Sequence, residues 1–106
     1  MAIQETDMNE LKALAKETLG IVSTATAKDN SLGMIIEAGV NDLTRAGVDV
    51  DLDNKLVQNA LMTYVKANFG ISNPTDKERF LEAYQLILAE LSLSEGYKAE
   101  EEENND

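Results

Sequence analysis

Leu11, Leu14, Ala15 and Leu19 fall three and four residues apart, and the same interval returns in three later stretches of the chain. Apolar residues at that spacing line one side of an α-helix, whereas a half-buried strand needs strict alternation. No convincing alternating run occurs. The second stretch carries Leu32, Ile35, Ile36, Val40 and Leu43, and the third Leu56, Val57, Ala60, Leu61, Tyr64 and Val65. The fourth carries Phe80, Tyr84, Ile87, Leu88 and Leu91. The expected fold is all-α: a small bundle of four helices whose stripes, including Leu61 and Leu88, meet in one core.

The punctuation between stripes sets the boundaries. Asp7 with Glu10 three residues later is a capping-box pattern, in which each side chain reaches an unpaired backbone N–H. Gly20 is a natural stop for the first helix. Asp29 is the expected cap of the second, which should end near Gly47, and Asp53 that of the third, which should run to Phe69 and Gly70. Asn73 as cap and Pro74 at the first helical position should open the fourth. Gly33 and Gly39 interrupt the second stripe, each costing about 1 kcal/mol of helix propensity relative to Ala. A close helix crossing there would offset that cost.

A chain of 106 residues has room for one modest core. Residues 1–94 are expected to form it, with the periodic part running from about 7 to 93. Residues 95–106 carry six acids and one Lys, so the net charge of −11 leaves −6 for the rest. This acidic C-terminal tail has no apolar period and is expected to be disordered in the isolated protein. Leu93 at the end of the periodic region, Tyr97 beyond it, and the run Glu100, Glu101, Glu102 and Glu103 are the candidate partner-binding residues. An aromatic or Leu anchor beside a charged run suits docking on another protein; a solubilising tail is the plainer reading of the same residues.

The chain contains neither Cys nor His. That removes disulfides, thiol nucleophiles, zinc-finger ligand sets and every catalytic triad with an imidazole base. No catalytic, cofactor or metal residue is assigned, and an enzyme is not expected. Asp49, Asp51 and Asp53 alternate as at the start of an EF-hand, yet positions six and twelve of that loop would be Asn54 and Ala60 in place of Gly and Glu. A polar loop with a short extended piece at Val48 to Val50 fits better. The acid excess disfavours binding to a phosphate backbone, which depends on clustered Lys and Arg. Residues 1–12 hold no basic segment followed by an apolar run, and no stretch approaches the ~18 apolar residues of a membrane span, so synthesis in the cytoplasm without a membrane association is expected.

The segment Asp29-Asn30-Ser31-Leu32-Gly33-Met34-Ile35-Ile36-Glu37-Ala38 resembles the acid-led second helix of bacteriophage head-tail connectors. Leu56 to Gly70 is similar to their third helix, and Asn73-Pro74, Phe80-x-x-x-Tyr84 and Leu91-Ser92-Leu93-Ser94 follow in the same order. These segments also fit the versions carried by siphophages of Gram-positive hosts, and similar proteins are often labelled DNA packaging proteins. The resemblance covers most of residues 7–97 and rests on the order of several weak signals. It implies a homo-oligomeric ring, dodecameric in the virion and compatible with a free monomer, assembled beneath the portal protein at the head-tail interface. Such a ring extends the DNA channel and offers a docking surface to the stopper or tail-completion protein, while DNA passes without specific binding.

Two other classes fit parts of the sequence. An acidic helical interaction module, such as an inhibitor that mimics DNA, would use the net charge. An acyl-carrier-like protein is suggested by Asp29-Asn30-Ser31-Leu32, which resembles the Asp-Ser-Leu of those small acidic proteins, with Ser31 as the phosphopantetheine site. Asn30 directly before Ser31, and Gly33 and Met34 after Leu32, depart from that pattern.

Overall fold

The computed structural model describes residues 3–69 and 73–93. They form α1 (Glu5–Leu19), α2 (Asp29–Arg45), α3 (Lys55–Asn68) and α4 (Pro74–Leu93), and no strand occurs among them. The fold is all-α, as its periodicity requires. The acidic segment from 95 onward lies outside the described residues. At Val48 there is an isolated bridge position, within the piece expected to be extended.

Each helix start follows from local chemistry, though three differ from the sequence expectation. α1 begins two residues before Asp7, with Gln4 at the cap and no side-chain capping bond. Ile3 packs on the core and draws the helix upstream, and the Met8 N–H donates to Gln4 O at 2.8 Å to close the first turn. Glu5 and Asp7 then lie in the first turn, where a negative charge favours the helix dipole. Asp29 is the first residue of α2 and not its cap, because Lys16 of α1 claims its carboxylate: Lys16 Nζ stands 2.8 Å from Asp29 Oδ1. That contact has ion-pair distance without hydrogen-bond alignment. Lys16 also donates to Ser23 O at 3.4 Å and so ties the loop between α1 and α2 to the first helix.

Asn54, one residue beyond Asp53, caps α3; its Oδ1 accepts from Leu56 N and Val57 N at 2.9 and 3.2 Å. Asp53 instead belongs to a turn in which its N–H donates to Asp51 Oδ1. The fourth cap is as expected, with Asn73 Oδ1 accepting from Thr75 N and Asp76 N ahead of Pro74. Gly20 ends α1 at φ 76°, a left-handed conformation in which glycine avoids the Cβ penalty.

α1, α2 and α3 pack on one another around Leu11, Ala15, Leu32, Ile36, Val40, Leu61, Met62 and Val65. At Gly39 the helices α2 and α3 cross so closely that a Cβ would lie 2.7 Å from Leu61 Cδ1 and 3.0 Å from Tyr64 Cδ1. Gly33 faces α1 instead, against the stem of Lys12. α4 lies along the other side of α3 and joins a second cluster of Leu43, Val48, Val57, Ala60, Tyr84 and Leu91. It is the least amphipathic of the four helices, and only Tyr84 and Leu91 are fully buried on it. Phe80, Ile87 and Leu88 are half-buried, so the fourth stripe is less enclosed than its periodicity suggests.

Candidate interaction surfaces

Tyr84 fixes α4 on the rest of the domain. Its hydroxyl donates to Asp42 Oδ2 of α2 at 2.6 Å, and its ring meets Tyr64 edge to face at 5.2 Å. Burial, then the bond to Asp42 and the charge of that carboxylate, raise the Tyr84 phenol well above its ordinary value of 10.0. Burial and Asp42 raise Tyr64 in the same direction. Near the other end of α4, Ser92 Oγ donates to Ala46 O at 3.4 Å. With its inner side held this way, the opposite side of α4 faces outward.

That outer side carries two large apolar residues among its charged ones. Leu86 is 74% exposed and Leu93 80% exposed. Glu82, Leu86, Ala89 and Leu93 follow at intervals of four, three and four, which places them in one line along the helix. A shallow depression beside them is lined by Glu78, Leu81, Glu82, Gln85 and Leu86. Leu93, a candidate from the sequence, is thus placed at the exposed end of this line. Tyr97, Glu100, Glu101, Glu102 and Glu103 lie outside the described residues. Leu86 was not among the candidates, although a signal existed: Leu81, Leu86 and Leu93 all fall off the Phe80–Leu91 stripe and give α4 more apolar residues than one face can bury.

A second surface lies between α1 and α3. This groove of about 290 Å³ is lined by Leu14, Thr18, Lys55, Gln58, Asn59, Met62, Thr63 and Lys66. Its lining contains no acid, and α3 as a whole carries none. Lys66 Nζ also sits 5.4 Å from the centre of the Phe80 ring. Asp7, Glu10 and Asp53 line the adjoining hollow near the start of α3, so the positive end of the groove is at Lys66.

The acids at 49, 51 and 53 do not converge. Among the described residues no group of three or more Asp, Glu, His or Cys side chains is placed to hold a metal ion. Ser31 is an exposed residue in the first turn of α2.

The family model described as phage connector protein matches residues 13–98. The chain belongs to that family. The match leaves out Leu11 of the first stripe, takes in the rest of the four stripes and extends through Leu93 and Tyr97. Membership supports the structural, head-tail role implied by the resemblance and places the protein in the phage particle. Comparisons with curated proteins and with solved structures gave no match.

Proposed function

We propose that this connector is the head-completion adaptor that binds the portal vertex as a ring, extends the DNA channel and receives the stopper or tail-completion protein. The match to the connector family over residues 13–98 carries the reading. Physical features agree with it. A chain with a net charge of −11, of which −6 belongs to residues 1–94, repels the DNA backbone, and a channel wall must let DNA slide without holding it. The apolar line on α4 gives a small helical subunit something to bury against a neighbour. Among the described residues no helix is long and apolar enough to cross a membrane. A DNA-mimicking inhibitor would need carboxylates spread across its folded faces, and the absence of any acid on α3 counts against it. The role calls for no catalytic residue and no cofactor.

Co-sedimentation tests the reading. The purified protein is mixed with DNA-filled, tail-less heads that carry the portal, and in parallel with capsids that lack it. Pelleting with the portal-bearing heads alone, followed by recruitment of the stopper protein to those heads, is the expected result. Protein that stays in the supernatant in both cases would refute it.

A further inference from the structure

We infer that neighbouring subunits meet head to tail, with the outer face of α4 of one copy seated in the α1–α3 groove of the next. The inference rests on the ring assembly proposed above and names the surfaces that close it. The α4 face is a ridge of Leu86, Ala89 and Leu93, continued toward the helix start by Arg79 and flanked by Glu78, Glu82 and Glu90, so that acids outnumber bases along it by three to one. The groove has a floor of Leu14 and Met62 and a rim that includes Lys55 and Lys66. An apolar ridge with acidic flanks thus faces an apolar groove with a basic rim, in a chain where acids outnumber bases by twenty to nine. The scarcity of positive charge makes this complementarity selective: the same ridge would meet like charges on most other surfaces of a neighbour.

The placement of the two surfaces decides what they can build. α3 turns Ala60 and Tyr64 toward α4, as the second core cluster and the contact between Tyr64 and Tyr84 show. Met62 is two residues from each of these, about 200° around the helix at ~100° per residue, and so points to the opposite flank. Ridge and groove therefore lie on opposite sides of α3 and cannot satisfy one another within a subunit. A contact between two different patches propagates from copy to copy and closes into a ring when the rotation allows. A helix laid into an apolar groove is a common way to make such a contact. Asp7, Glu10 and Asp53 at the start of α3 set its polarity, since they repel the acids of the ridge toward Lys66.

Because the chain has no cysteine, cross-linking gives a clean test. The full-length protein carrying Thr63→Cys in the groove and Leu86→Cys on the ridge is loaded onto portal-bearing heads. It is then treated with a bis-maleimide that spans about one helix diameter, ~10 Å. Electron microscopy of the same sample reports the ring. The expected result is ring density together with a ladder of covalent multimers, and no ladder from either single variant. Ring density without a ladder would overturn the assignment of these surfaces and leave the ring itself standing. Absence of ring density with the unsubstituted protein would overturn the assembly and this inference together. As a second variant, Leu86→Glu alters an exposed residue; it should keep the helical circular dichroism of the parent and lower ring occupancy at least tenfold. Unchanged occupancy would refute the inference.

Discussion

Replacing Gly39 with Ala opposes two effects of similar size at the close crossing of α2 and α3. Within α2, Ala is favoured over Gly by about 1 kcal/mol of helix propensity. Against that, the new Cβ would lie 2.7 Å from Leu61 Cδ1 and 3.0 Å from Tyr64 Cδ1, and Leu61 is fully buried with little room to turn. Overpacking of this kind costs about 1–3 kcal/mol. The net expectation is a loss of about 0–2 kcal/mol. Leu61→Ala alone should cost about 2–5 kcal/mol through lost burial and the cavity it leaves. In that background the closer obstruction is gone and only the Tyr64 ring edge at 3.0 Å has to yield, so most of the propensity gain is exposed. Gly39→Ala should therefore destabilise, or at best leave unchanged, the parent and stabilise the Leu61→Ala protein by up to about 1 kcal/mol. For a domain of this size that is a rise of roughly 4–8 °C in Tm. Urea and thermal unfolding followed by circular dichroism measure all four corners of the cycle. A gain of about 1 kcal/mol in both backgrounds would show that the crossing tolerates a methyl group and that the close-approach argument is wrong.

Further expectations concern single bonds. Tyr84→Phe should lower stability by about 1–3 kcal/mol, because it removes a donor from the buried side of Asp42. The raised Tyr84 pKa means that the unfolded chain releases this proton first as pH rises. The bond's contribution is complete below about pH 10 and falls above it, by up to about 1.4 kcal/mol per pH unit. Urea titrations at pH 8 to 11 should show a steeper loss for the parent than for Tyr84→Phe; equal slopes would contradict the assignment. Asn54→Ala should cost about 1 kcal/mol and Asp53→Ala less than about 0.5, since only Asn54 caps α3. The reverse order in thermal melts would restore Asp53 as the cap. Lys16→Met should leave the helices folded while freeing the loop of residues 20–28, seen as faster proteolytic cleavage there; an unchanged cleavage rate would mean that the Ser23 contact does not restrain the loop.

The parts of the fold legible in the sequence were those set by local chemistry. Asn73 followed by Pro74 has one good solution, and the structure takes it. Gly39 was readable as a close approach because a glycine inside a strong apolar stripe needs compensation. Asp29 misled because its role depends on Lys16, thirteen residues earlier and adjacent only after folding. Asp53 and Asn54 are both capable caps, and the turn in which the Asp53 N–H donates to Asp51 Oδ1 leaves Asn54 as the residue that accepts from Leu56 N and Val57 N. For the interaction surfaces, periodicity identified what is buried and so passed over what is left outside. Leu93 was reached through its position at the end of the stripe, whereas Leu86 became visible only once α4 was seen to rest on α3 by its other face. The groove between α1 and α3 could not be read at all, because it joins residues from two helices whose packing no local pattern specifies.

Whether this connector forms a ring at the portal vertex is decided by electron microscopy of that vertex. DNA-filled, tail-less heads are imaged with and without the purified protein, and the densities are subtracted. An added annulus of helical density beneath the portal, coaxial with the DNA channel, is the expected result. A vertex unchanged by saturating protein, in heads shown to retain the portal, would contradict it.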